Sequence, residues 1–196
     1  TTEDSIGQTT LEVLFTRLNT GGTTISRDDL NYSAIKAYWP SIKEVNDRLA
    51  EKYMNPAKLV MLAFRLALTS DDSKSFRNEM SISQIRSAAR KDGDRKKIEA
   101  LYQNNCLQNI LEKVDEWLGV TEEGDLRTPK IMRTMIAQNS PDIYLLLMYL
   151  ALKDMESAIE LSAKEIKALA FLIQWFGNDK KLCVQEIFRR LQKGIN

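Results

Sequence analysis

An all-α fold follows from three features of this 196-residue chain. Apolar residues recur at helical spacing almost throughout, capping residues and prolines punctuate those stretches where helices start, and no convincing stretch alternates apolar with polar residues. About nine or ten helices of ordinary length fit along it. No repeat of fixed period emerges, so the expected architecture is an irregular multi-helix bundle and not a regular solenoid.

Taken in order, Leu11, Leu14, Phe15 and Leu18 fall at i, i+3, i+4 and i+7, on one face of a helix expected to end near Asn19. Ser26 with Asp29 three residues on announces the next helix, as a variant of the capping box that satisfies free backbone N–H groups. Ser41 with Glu44 and Ser162 with Glu165 repeat the device. Asn55-Pro56, Thr128-Pro129 and Ser140-Pro141 each place a capping side chain before a proline that can occupy the first helical position, where a missing N–H is harmless. The run from Ile143 to Leu152 is apolar on nearly every side and reads as a buried core helix.

From Asp94 to Leu118, Ile98, Leu101, Ile110, Leu111, Val114, Trp117 and Leu118 form a helical face that Asn104, Asn105 and Cys106 bend or break. Gly177 and Gly194 stand where helices commonly finish, because glycine tolerates the left-handed conformation there. Val184, Ile187, Phe188 and Leu191 stripe the last helix. The polar turns from Thr69 to Ser75 and from Thr121 to Asp125 are the best boundaries, but both are too short for flexible linkers. The expected division is 1–70 and 71–196, with the second part packed on the first or sharing one core with it.

Composition limits the chemistry. Lys plus Arg (28) and Asp plus Glu (27) nearly cancel, so no global field draws in nucleic acid or anionic lipid, and any polyanion site must be local. There is no histidine, which removes the usual general base, the imidazole metal ligand and every Ser-His or Cys-His nucleophile. The two cysteines, Cys106 and Cys183, are far apart in sequence and form neither a redox CxxC nor a zinc motif. No phosphate-binding GxxxxGK[ST] and no GxGxxG is present. The longest apolar runs reach about half of the roughly 20 residues needed to cross a bilayer. Together with packed thiols and no signal-peptide pattern, this leads us to expect a reducing, cytoplasmic setting without membrane contact. The start at Thr1, with a helical pattern beginning almost at once, leads us to expect a piece of something longer.

Two constellations stand out. In the first, Gly21 and Gly22 follow Arg17 and Asn19, and a glycine pair can expose consecutive N–H groups as an anion-binding nest, with Arg17 and Arg27 flanking it. The plainer reading is a turn between two helices. The second runs from Arg86 to Lys97, where Arg86, Arg90, Lys91, Arg95, Lys96 and Lys97 face only Asp92 and Asp94. One helix is expected to stop near Gly93 and another to open with Arg95, Lys96 and Lys97, making a corner that can grip a phosphate backbone. A solvated charged surface has the same composition. Trp39, Trp117 and Trp175 lie beside apolar stripes and read as core. The pairs Asp28/Asp29, Asp71/Asp72 and Glu122/Glu123 are adjacent in sequence, so on a helix their side chains do not face each other; they suit helix starts and turns better than metal or acid–base sites.

The pattern Phe15-x-Arg17-Leu18-Asn19-Thr20-Gly21-Gly22-Thr23-x-Ile25-Ser26-x-x-x-Leu30 resembles the second signature of the ParB-like domains of GmrSD-type restriction enzymes, domain of unknown function 262. Thr24 stands where proline is common in that family and Ile25 where leucine is common. The family's upstream Asp-Gly-Gln-Gln-Arg signature is not in this chain, and neither is its C-terminal nuclease of the His-Asn-His type, which needs histidine. The resemblance implies a helical module of a prokaryotic DNA-restriction protein, with 1–70 the end of the ParB-like domain and 71–196 the helical region after it. It implies further that Arg17, Asn19, Gly21 and Gly22 lie near a nucleotide, that a nucleoside triphosphate serves the parent protein, and that the partners are the parent's other domains and DNA. The module alone is expected to be inactive.

Overall fold

Local signals set most of the helix starts in the computed structural model, which describes residues 26–69, 75–119, 130–156 and 162–195. Ten helices form among them, and no strand: α1 (Arg27–Tyr38), α2 (Pro40–Tyr53), α3 (Pro56–Ala67), α4 (Ile82–Arg90), α5 (Asp92–Tyr102), α6 (Cys106–Leu118), α7 (Lys130–Asn139), α8 (Pro141–Met155), α9 (Ala163–Phe176) and α10 (Lys180–Ile195). Asn55 caps α3 as expected, its side chain accepting from the N–H groups of Ala57 and Lys58 at 2.8 and 3.4 Å. Pro56 and Pro141 occupy the first turns of α3 and α8. The expected cap at Thr128-Pro129 and the expected helix over Leu11 to Leu18 lie outside the described residues.

Several caps differ from the sequence reading. Ser41 is not a cap: α2 starts two residues earlier than that cap implies, at Pro40, with Trp39 at the N-cap and no side-chain bond there. A proline fits the first helical position so well that it sets the start on its own. Ser162 and Ser140 hold their cap positions without the capping bond, and Ser140 donates instead to the Gln174 side chain on α9. A further box went unread, at Ser81 with Gln84 at the start of α4. Asn104 and Asn105 take positive φ values of 51° and 57°, breaking the long segment into α5 and α6. Gly177 ends α9 as expected, but in an extended conformation, and α10 continues through Gly194. Space explains Gly177: a Cβ there would stand 2.6 Å from the Ile173 carbonyl oxygen.

Two apolar clusters build the interior. The larger surrounds α8, whose residues from Ile143 to Ala151 are all buried, against α3, α6, α7, α9 and α10. The smaller joins α1, α2, α4 and α5 through Tyr32, Ile35, Trp39, Ile42, Ile85 and Ile98. Helix α3 serves both, giving Leu59, Leu62, Ala63 and Leu66 to the first and Val60, Met61 and Phe64 to the second, which Leu68 joins from just past its end. Both clusters draw residues from either side of position 70. Buried polar groups lock the arrangement: Asn46, fully buried, donates to the Pro56 carbonyl at 3.0 Å and accepts from Tyr102 at 3.1 Å.

Candidate functional site

Arg17, Asn19, Gly21 and Gly22 lie outside the described residues, but the downstream end of their signature does not. The Asp29 N–H donates to Ser26 Oγ at 3.1 Å, and that hydroxyl donates to the Asp29 carboxylate at 2.6 Å. Ser26 thus caps α1 as expected, but the Asp29 carboxylate returns to the capping hydroxyl, where the expected box has it accept a backbone N–H. Asp28 and Asp29 place negative charge in the first turn of α1, against the positive end of the helix dipole. One turn further on, α1 is anchored. Asn31 is buried and donates to the Met80 carbonyl at 3.0 Å, while Tyr32, Ile35 and Trp39 enter the smaller core cluster.

The six basic residues fall at the corner between α4 and α5. Arg86 and Arg90 lie on α4, and Arg95, Lys96 and Lys97 on α5. Lys91 alone joins the helices: its N–H donates to the Ser87 carbonyl at 3.1 Å and its carbonyl accepts from the Arg95 N–H at 2.9 Å. The turn therefore comes before Gly93, which sits inside the first turn of α5 with nothing within 4 Å of its missing Cβ. The acidic first turn, Asp92 and Asp94, starts the helix earlier than the glycine suggested.

Much of this charge is compensated locally. Arg95 pairs with Glu99 at 2.8 Å and Lys96 with Asp92 at 2.7 Å, and the bond to Glu99 pushes the Arg95 guanidinium further up from its ordinary value. Arg86 Nε donates to the Tyr38 hydroxyl at 2.8 Å. Lys91 and Lys97 make no ion pair among the described residues. Successive residues on a helix are about 100° apart, so Arg95, Lys96 and Lys97 spread over roughly 200° of α5 and do not share one face. The Lys96 and Asp92 side chains are 73% and 78% exposed, and a pair that open to water contributes little. A phosphate can replace such a carboxylate at small expense, so the corner is available to a polyanion without being built around one. On α10, Arg189 and Arg190 are similarly engaged, and together they hold the Glu186 carboxyl down at about 2.

No group of three or more cysteine, aspartate or glutamate side chains among the described residues is placed to hold a metal ion. Asp28 and Asp29 serve a helix start; Asp71/Asp72 and Glu122/Glu123 lie outside the described residues. Cys106 and Cys183 are free and partly buried, and burial, with Glu156 adding to it, pushes the Cys106 thiol up and away from reactivity. No helix is long and apolar enough to cross a membrane among the described residues.

Trp39 and Trp117 are core residues as expected, and Trp175 is not. It is 43% exposed on α9, stacked on Phe171 with ring centroids 4.8 Å apart. The signal was present: Ile166, Ala170 and Ile173 form the buried face of α9, and Leu172 and Trp175 fall on the opposite side. The dense apolar run around them concealed it. No family model, curated protein or solved structure matches the chain.

Proposed function

We propose that this chain is a helical module of a prokaryotic DNA-restriction protein, supporting a nucleotide-dependent ParB-like domain and without activity of its own. The observation that carries the reading is the spacing Phe15-x-Arg17-Leu18-Asn19-x-Gly21-Gly22, which runs directly into the capped and anchored start of α1. The residues of this spacing are joined in the chain to a helix held by Asn31, Tyr32 and Trp39. Such a base lets the helical body position Arg17 and Asn19 against phosphates supplied by a nucleoside triphosphate on the upstream domain. Cytoplasmic location, the parent's remaining domains as partners, and DNA contact through Arg86, Arg90, Lys91, Arg95, Lys96 and Lys97 belong to the same proposal.

The test is made in the parent protein. Arg17→Ala lowers nucleotide-dependent turnover while the thermal transition stays in place; unchanged turnover counts against the role. DNA contact is tested separately, by duplex binding of the module across a salt series. Lys91→Ala with Lys97→Ala should weaken binding and flatten its salt dependence by about two phosphate contacts. Absence of binding, or binding indifferent to salt, removes DNA from the proposal. The alternative reading is a non-catalytic helical scaffold that binds protein or nucleic acid.

A further inference from the structure

Helices α9 and α10 leave an apolar patch open to solvent. Leu172 is 57% exposed, Trp175 43%, Phe176 80% and Leu182 66%, the last across a three-residue connection from the others. At ~200 Å² per large side chain, these four expose roughly 500 Å² of apolar surface, the size of the largest patch on a typical monomer, which is often functional. A standard interface buries about 800 Å² per partner, a little over half of it apolar, so the patch has the apolar area of one side of such an interface.

We propose that the patch is the two-fold interface of a homodimer, with α9 crossing α9 of a second copy in antiparallel fashion. An isologous contact requires a surface that complements itself. The outer stripe of α9 meets this requirement: Ala168, Leu172 and Phe176 follow at intervals of one turn, so pairing about Leu172 sets the small Ala168 of one copy opposite the large Phe176 of the other. Trp175 and Phe171, already stacked, add a rigid aromatic ledge at the centre.

Light scattering coupled to size exclusion, on the 196-residue chain from micromolar concentration upward, tests the proposal. The expected result is a mass that doubles with concentration, accompanied by a blue shift of tryptophan emission as Trp175 is covered. Leu172→Asp with Phe176→Asp should weaken association by about a hundredfold or more, because each carboxylate would be desolvated in the contact. Both side chains are exposed, so far-UV circular dichroism should be unchanged. A wild-type chain that stays monomeric throughout overturns the proposal and assigns the patch to a different partner; a dimer that persists in the double variant overturns the assignment to this face.

Discussion

Arg65 offers the sharpest test of how the core is held. It projects from α3, the helix shared by both clusters, and is 3% exposed. Its Nε donates to the Arg77 carbonyl at 2.7 Å and its Nη2 to the Asp142 carboxylate at 2.5 Å, in the first turn of α8. Among the described residues, Asp142→Ala leaves the buried guanidinium with one hydrogen bond and no counter-charge. Removing one partner of a buried ion pair typically costs 3–5 kcal/mol; Asp142 is itself 22% exposed, which puts the expected loss near the lower end, about 3 kcal/mol. For a chain of this size that corresponds to a fall in Tm of roughly 6–12 °C. Arg65→Met should be milder, about 1–2 kcal/mol, because it removes the buried charge and leaves Asp142 and the Arg77 carbonyl to water. Urea unfolding followed by circular dichroism gives both values. A loss under ~1 kcal/mol for Asp142→Ala, or an Arg65→Met variant less stable than Asp142→Ala, would refute the argument that desolvated charge dominates here.

The remaining predictions concern caps, a close contact and alkaline pH. Asn55→Ala should cost about 1 kcal/mol, since two N–H groups lose their acceptor, whereas Ser162→Ala should stay within ~0.5 kcal/mol, its hydroxyl making no capping bond; equal effects in chemical denaturation would contradict the cap geometry. Gly177→Ala should destabilise by about 1–3 kcal/mol, because the new methyl meets the Ile173 carbonyl, and an unchanged Tm would show that α9 yields easily. Burial, reinforced by a hydrogen bond donated to Asp47, pushes the Tyr32 hydroxyl up from 10.0 to about 12. Its contribution to stability is therefore complete below pH 10, where both states keep the proton, and declines from there to about 12 as the unfolded chain alone releases it. Tyr32→Phe should flatten the profile over that interval; parallel profiles would remove Tyr32 from the account.

Much was legible because it is local. The caps at Ser26 and Asn55, the prolines at 56 and 141 and the break at Asn104 and Asn105 all act within a few residues, so spacing along the chain reveals them. The burial of α8 was legible too, since a helix apolar on every side has nowhere else to go. Helix α3 has a similar composition, yet its role as the shared wall of two clusters was not readable, because it depends on which helices come to lie on each side. Likewise, six clustered cations in sequence promised one basic surface, and the helical rotation of α5 dispersed three of them while Glu99 and Asp92 engaged two.

The sequence by itself determined an all-α fold, the helix starts after Ser26, Asn55, Ser140 and Ser162, and the absence of histidine chemistry. Only the tertiary structure decided that Arg65 and Asn46 are buried with partners, and that Trp175 faces water while Trp39 and Trp117 do not. The difference is physical. Backbone N–H and C=O groups within a helix are satisfied by neighbours four residues away, whereas the burial of a side chain is settled by elements tens of residues distant, and periodicity records which face is apolar without recording what covers it.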